Sequence, residues 1–163
     1  MELRRLAEGD FEGWKGLPSD CRPSDLGAVF GGGESPGNGL LSNQPAKFRV
    51  YQFPGQSEDI EAWFQEDDRI ILVSIATPTI NGDVKALLDT FGSPEKRLEQ
   101  GVGYHADAHQ WIYASRGITF FVREYSNEIA RVVVYPPTSV EDYLERLGAK
   151  DKKRYWPNTR SGE

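Results

Sequence analysis

The chain has 163 residues, a hydrophobic content of 38% and a formal net charge of −6. This acidic balance argues against the phosphate backbone of nucleic acid as a partner, because phosphate binding needs a basic surface. The single cysteine, Cys21, excludes an internal disulfide, and no stretch approaches the ~18 apolar residues that a membrane-spanning helix requires.

The N-terminal residues, MELRRLAEGDFEGW, lack the apolar core of a signal peptide, so we expect a cytoplasmic protein. Leu3, Leu6 and Ala7 have the spacing of a short helix, while glycines at 9, 13 and 16 oppose a long one. We therefore assign residues 1–22 to a lead-in segment.

A first αβββ unit is predicted over residues 23–80. Pro23 and Ser24 suit the start of a helix, which we place at 25–30 and which a run of three glycines ends. Residues 31–45 are rich in Gly, Ser, Asn and Pro, a composition typical of an irregular loop. The strands of this unit are predicted at 46–53, 58–65 and 69–76.

A second αβββ unit is predicted over residues 81–137. Asp83 suits the N-cap of a helix at 83–91, whose apolar residues Val84, Leu87, Leu88 and Phe91 share one face. Gly92 and Pro94 end that helix. Its strands are predicted at 109–114, 117–123 and 128–135. A C-terminal helix at 139–147, within segment 138–148, precedes a polar tail at 149–163.

The two units repeat at a fixed spacing. Asp25 and Asp83 lie 58 residues apart (83 − 25), and Pro78 and Pro136 are also separated by 58 (136 − 78). Equal spacing at both ends of a supersecondary unit indicates a tandem architecture. The predicted fold is therefore α+β, with two tandem αβββ units that form an antiparallel sheet of about six strands with helices on one face.

The run from Gly82 to Pro94, GDVKALLDTFGSP, followed by Trp111-Ile112-Tyr113, resembles the BamE/SmpA-like domain. In that family a short helix ends in a Gly-x-Pro turn, and a strand with a W-x-Y pattern follows. The tandem arrangement is similar in architecture to β-lactamase inhibitory protein. The resemblance implies a sheet with one open face that binds other proteins. Because no apolar signal precedes Cys21, the membrane anchoring of BamE proteins is not implied.

Strand alternation predicts a surface of aromatic and arginine side chains. Neighbouring residues of a strand point to opposite faces, so one phase of the strands gives an apolar face for the helices and the other gives a mixed face. Aromatic and arginine residues are typical of protein-binding hot spots. Either this mixed face is open, or the N-terminal segment, loops or tail cover it. The predicted partner-binding residues are Arg49, Tyr51, Phe53, Glu61, Trp63, Trp111, Tyr113, Phe121, Arg123, Arg131 and Tyr135.

Acidic residues cluster around the second predicted hairpin of the first unit. They are interpreted either as a solvated edge or as a docking edge for a basic partner. This acidic docking edge comprises Glu58, Asp59, Glu66, Asp67 and Asp68.

The remaining chemistry-bearing residues do not predict a catalytic or metal site. His105, Asp107 and His109 follow glycines and precede a strand, so a solvated loop is favoured over the helical spacing of a metal site. Cys21 is expected to be a small buried side chain. The glycines at 31–37 lack the ending of a phosphate-binding loop. We expect no catalytic residue, metal or cofactor.

We therefore expect a non-catalytic protein-binding module, most concretely an inhibitor such as an immunity protein that neutralises a toxin. The expected partner is a basic protein, toxin or enzyme, because complementary charge speeds encounter and selects the partner. Nucleic acid and membrane are not expected partners. The alternative is a small-molecule-binding domain that uses an aromatic cleft.

Overall fold

The computed structural model describes residues 2–11, 14–15, 21–29, 36–41, 44–52, 60–76, 78, 80–99 and 108–147. The helices in these ranges are α1 (Leu3–Ala7), α2 (Pro23–Val29), α3 (Val84–Phe91) and α4 (Val140–Arg146). The first five strands are β1 (Asp10–Phe11), β2 (Trp14–Lys15), β3 (Gly37–Leu41), β4 (Gln44–Tyr51) and β5 (Ile60–Phe64). The remaining strands are β6 (Ile70–Ala76), β7 (Lys96–Leu98), β8 (His109–Tyr113), β9 (Ile118–Arg123) and β10 (Glu128–Val134). Within the described residues, no helix combines the length and apolar character needed to cross a membrane.

Eight strands form one open antiparallel sheet in the order β3-β4-β5-β6-β10-β9-β8-β7. The central pair is β6 with β10, where Val132 lies opposite Ile75 and Val134 opposite Val73. Strands β1 and β2 form a separate two-stranded ribbon. The α+β class and the antiparallel sheet are confirmed, but the sheet has eight strands rather than about six.

The two additional strands lie at the edges of the sheet. Strand β3 falls in the stretch that its composition assigned to an irregular loop, and it pairs along its length with β4. At Gly37 an added Cβ atom would lie 2.7 Å from the Phe48 ring, so this position has no room for a side chain. Glycine here permits close packing on an aromatic ring, which local propensity does not reveal.

Helix α3 begins and ends where its sequence predicts. The Asp83 side chain accepts a hydrogen bond from the Ala86 N–H at 2.9 Å, and the pKa of its carboxyl is lowered chiefly by that bond. Gly92 follows the helix with φ +75°, a backbone angle that glycine favours. Leu87 and Phe91 are buried, and the Phe91 ring packs edge-on against Phe120, with centroids 5.0 Å apart.

The helices cover both faces of the sheet, so their predicted placement on one face is wrong. We call the face that holds Phe120, and on which α3 packs, the α3 face. The opposite face holds Gln110, whose side chain accepts a hydrogen bond from the Tyr143 hydroxyl of α4 at 2.9 Å. We call it the α4 face. Val140 and Tyr143 give α4 its apolar side, but amphipathicity does not specify which side of a sheet a helix covers.

Candidate functional site

The predicted aromatic and arginine surface is divided between the two faces. Trp111 lies opposite Phe120 in the β8–β9 register, so it belongs to the α3 face. Tyr51 lies opposite Ile60, and the paired residues that follow across β6 and β10 lead to Phe120 on β9. Tyr51 therefore also belongs to the α3 face. The α3 face therefore holds Arg49, Tyr51, Trp111 and Tyr113, and the α4 face holds Glu61, Trp63, Phe121, Arg123, Arg131 and Tyr135. Phe53 lies outside the described residues.

Hairpin length explains this division. The β8–β9 turn pairs Tyr113 with Ile118, whereas the predicted surface required a pairing shifted by one residue. The register of β4 with β5 likewise differs by one residue from the one that the predicted surface required. A shift of one residue moves every side chain of a strand to the other face.

Most of the predicted partner-binding residues are buried. Seven of them are at most 5% exposed, and Trp63 and Phe121 are fully covered. Buried side chains cannot contact a partner directly, so the open alternative does not hold for them. The buried seven are Tyr51, Trp63, Trp111, Tyr113, Phe121, Arg131 and Tyr135. Arg49, Glu61 and Arg123 are partly exposed.

A hydrogen-bonded group fixes α4 to the sheet. Tyr143 stacks on Tyr135 with ring centroids 4.8 Å apart, and the Tyr135 hydroxyl lies 2.8 Å from the Thr119 hydroxyl. Burial raises the pKa of both phenols, so they stay neutral at physiological pH. The polar atoms in this layer satisfy one another, which indicates a structural role rather than an acid–base site.

Arg131 is the buried charge at the centre of the α4 face. Its Nη1 atom donates to the Ser74 hydroxyl at 2.7 Å, and its Nε atom has no hydrogen-bond partner among the described residues. Burial lowers the pKa of Arg131 to about 10, while the Glu61 carboxylate opposes that shift. The guanidinium is therefore still charged at neutral pH, and Glu61 is its electrostatic counterpart.

The surface around the β9–β10 turn carries the most exposed large hydrophobic residue of the described ranges. Tyr125 is 77% exposed on a 3₁₀ turn that spans Glu124–Ser126. Glu124 forms an ion pair with Arg97, and Arg123 approaches Glu128 at 3.8 Å. We define the turn surface as Arg97, Arg123, Glu124, Tyr125 and Glu128. Arg123 is among the predicted partner-binding residues, whereas Tyr125 and Arg97 are not. The position of Tyr125 between the strands predicted at 117–123 and 128–135 was a sequence signal that this aromatic residue lies on an exposed turn.

The turn surface is held rigidly by the neighbouring elements. Asn127 adopts φ +57°, and its side chain both accepts from the Val84 N–H and donates to the Asp83 carboxylate, each at 3.2 Å. The Arg97 guanidinium lies 4.5 Å from the centre of the Trp111 ring and helps to cover it. Tyr125 is therefore presented on a turn that is tied to the start of α3.

The described part of the acidic docking edge forms the β5–β6 turn. Glu66, Asp67 and Asp68 are all exposed there, while Glu58 and Asp59 lie outside the described residues. The Asp67 carboxylate accepts from the Arg69 backbone at 3.1 Å and pairs with the Arg69 guanidinium. These bonds order the turn and fix the position of the Asp67 carboxylate.

A cavity of about 360 Å³ lies between α2 and β4. Arg49 and Tyr51 of β4 form one wall, and Pro23 and Gly27 of α2 are on the opposite side. The Tyr51 hydroxyl donates to the Pro23 carbonyl at 2.9 Å, which ties α2 to the strand. Arg22, Ser24 and Asp68 also line the cavity.

The histidine and cysteine candidates do not assemble within the described residues. His109 lies on β8 with Nδ1 3.8 Å from a Glu124 oxygen, while His105 and Asp107 are outside the described ranges. Cys21 is 2% exposed, as expected of a small buried side chain. Across the described ranges, no three His, Cys, Asp or Glu side chains gather as a metal site.

No family model and no curated protein sequence matches the chain. The chain is similar in structure to a DUF4309 family protein, YjgB from Bacillus subtilis subsp. subtilis str. 168, solved at 2.13 Å resolution. The TM-score is 0.56 at 16% identity, and the match covers 82% of this chain and 92% of that one. At this identity the likeness concerns the fold.

Proposed function

We propose that the chain is a non-catalytic, cytoplasmic protein-binding module, most concretely an inhibitor such as an immunity protein that neutralises a basic toxin or enzyme. The observation that carries the proposal is Tyr125, which is 77% exposed on a turn fixed by hydrogen bonds. Tyrosine and arginine are the residue types most enriched in binding hot spots, and a fixed turn loses little entropy on binding.

The turn surface supplies this content in a small area. Arg97 and Arg123 pair with the glutamates at 124 and 128, and their side chains are 50% and 22% exposed. Their ion pairs with Glu124 and Glu128 hold the guanidinium groups in place rather than leaving them as mobile chains. A partner would therefore meet an aromatic residue on a turn whose neighbouring charges are paired, which favours specific contact.

The charge of the chain supports a basic partner. The net charge is −6, and the β5–β6 turn presents Glu66, Asp67 and Asp68 together on the surface. That turn lies at the opposite end of the sheet from the turn surface, because β6 and β10 are antiparallel. We propose that it steers the partner by charge, while Tyr125 is the site of tight contact.

We further propose that the two halves are tandem copies related to BamE/SmpA-like domains, as in β-lactamase inhibitory protein. Strands β5 and β9 begin 58 residues apart (118 − 60), and β6 and β10 also begin 58 apart (128 − 70). In each half, the turn before the last strand is hydrogen-bonded at the start of the helix. Arg22 donates to the Asp67 carbonyl at 2.8 Å in one half, and Asn127 bonds with Asp83 in the other.

Affinity capture with matched variants tests the proposed function. The chain would be immobilised and exposed to lysate of cells that carry its gene, as wild type, as Tyr125→Ala and as Arg4→Ala. Arg4 is a control because its side chain is 88% exposed on α1. We expect one basic protein at equal stoichiometry with wild type and Arg4→Ala.

Loss of a hot-spot tyrosine costs about 2 kcal/mol or more, which corresponds to roughly 30-fold weaker binding. Tyr125→Ala should therefore lose most of the captured partner while keeping the wild-type unfolding midpoint. Equal capture by Tyr125→Ala and wild type, or no stoichiometric protein partner, would reject the proposal.

A small-molecule-binding domain is the second candidate function. The cavity between α2 and β4 favours it, because about 360 Å³ falls in the range of small-ligand sites. This cavity is away from the turn surface, so the two candidate functions are tested by different variants.

A further inference from the structure

The cavity between α2 and β4 contains an arginine whose charge has no counter-ion among the described residues. Arg49 is partly buried on β4, and its Nε atom is buried without a hydrogen-bond partner. Its strand neighbour across the pair is Ala62, which is buried and apolar. A guanidinium is always charged at physiological pH, and leaving its buried N–H groups unpaired is unfavourable.

No acidic side chain within the described part of the chain neutralises this arginine. The chain has 25 acidic and 19 basic residues, yet no Asp or Glu of the described ranges lies within ion-pair distance of Arg49. Tyr51 beside it is not a counter-ion, because burial raises the pKa of its phenol and keeps it protonated. The positive charge therefore remains available to a ligand.

A second arginine is fixed at the rim of the same cavity. Arg22 donates through Nη1 to the Asp67 carbonyl at 2.8 Å, which positions its side chain and leaves further N–H groups free to donate. The lining includes one carboxylate, that of Asp68, which is exposed. The described lining therefore contains two arginines and one carboxylate.

Gly27 keeps space in the cavity at a cost to α2. It lies in the middle of the seven-residue helix, where glycine is less favourable than alanine by about 1 kcal/mol. A Cβ atom at this position would meet nothing within 4 Å, so packing does not demand a glycine. An open position on the helix side of a cavity is what a bound ligand requires.

We propose that this cavity binds a small organic oxyanion, a carboxylate or a phosphate, with Arg49 as the principal donor and Arg22 as the second. The planar fork of a guanidinium matches both groups, forming paired charge-assisted hydrogen bonds. The Tyr51 ring and Pro23 supply apolar walls for the body of the ligand. The position between a helix and a strand, and the volume of about 360 Å³, suit a small molecule.

Titration with defined anions tests this proposal. Inorganic phosphate, acetate and citrate would each be titrated into ¹⁵N-labelled protein at constant ionic strength set with chloride, and amide shifts recorded. We expect saturable shifts centred on Gly27 and Arg49 with at least one probe. A response to phosphate alone identifies a phosphate ligand, and a response to acetate or citrate alone identifies a carboxylate.

Three variants separate specific binding from general charge effects. Arg49→Gln removes the principal donor, and Gly27→Leu fills the cavity without changing charge, so each should weaken binding at least tenfold. Arg4→Gln removes an exposed arginine of α1 that is not in the lining, so it should bind as wild type does. Arg22 is exposed, so Arg22→Gln should leave the chain folded. This variant should weaken binding, and it can be measured even if Arg49→Gln is unstable.

The proposal is overturned if none of the three anions gives saturable shifts at these residues. It is also overturned if Gly27→Leu and Arg22→Gln both bind with wild-type affinity. Because no residue of the turn surface is changed, these outcomes are independent of whether Tyr125 binds a protein.

Discussion

Replacing Trp63 separates a buried core residue from an exposed recognition residue. Trp63 is fully buried on β5, and its ring lies 5.0 Å from the Phe48 ring. Truncating a buried tryptophan to alanine lowers the free energy of unfolding by about 3–5 kcal/mol. Small domains have about 5–15 kcal/mol in total, so Trp63→Ala should be severely destabilised or unfolded.

The indole N–H allows a sharper comparison. Trp63 Nε1 is buried without a hydrogen-bond partner among the described residues, which costs about 1–3 kcal/mol. Trp63→Phe removes that unpaired donor and keeps a ring against Phe48, so its loss of volume is partly offset. We expect Trp63→Phe to lie within about 2 kcal/mol of wild type, well above Trp63→Ala.

Urea unfolding followed by far-UV circular dichroism measures these free energies. Tyr125→Ala is the matched control, since an exposed aromatic residue should change the free energy of unfolding by about 0.5 kcal/mol or less. If Trp63→Ala were as stable as Tyr125→Ala, Trp63 would lie on an open surface, and its assignment to the buried core would be refuted.

Three further predictions concern helix α2, the tyrosines and the buried arginine. Gly27→Ala should raise the free energy of unfolding by about 0.5–1 kcal/mol in urea unfolding, because its Cβ meets nothing within 4 Å; a loss of stability would contradict the space assigned there. Burial raises the pKa of Tyr113 to about 12, so the folded chain retains a proton that the unfolded chain loses near pH 10. The free energy of unfolding in urea should therefore fall as pH rises from 10 toward 12, and an unchanged value over that range would contradict the raised pKa of Tyr113. Arg131→Met should destabilise the chain in thermal unfolding, because the Glu61 charge loses its counterpart, and adding Glu61→Gln should recover part of that loss; an additive double variant would argue against their coupling.

The local structure of the second half was predictable from its residues. The spacing of Leu87 and Phe91, the capping Asp83 and the terminal Gly92 all act within one helix, and they set its limits to within a residue. Strands β6 and β10 were also placed closely, since β-branched residues dominate both. These features depend on neighbours in sequence.

The arrangement of side chains across the sheet was not predictable in the same way. Whether Trp111 shares a face with Phe120 or with Phe121 depends on the register that the β8–β9 turn imposes, and a shift of one residue reverses the answer. Strand β3 depends on Gly37 fitting against Phe48, which is a tertiary contact. The residues of the candidate site were the least predictable feature, because a recognition residue must be exposed and exposure depends on the packing of the whole fold.

Crosslinking from position 125 tests the proposed recognition surface most directly. A photoreactive phenylalanine analogue, p-benzoylphenylalanine, would replace Tyr125 in one protein and Arg4 in another, and each would be irradiated in lysate of cells that carry the gene. We predict a single crosslinked basic protein from position 125 and none from position 4. No crosslinked protein from position 125, or the same products from both positions, would contradict a recognition surface at this turn.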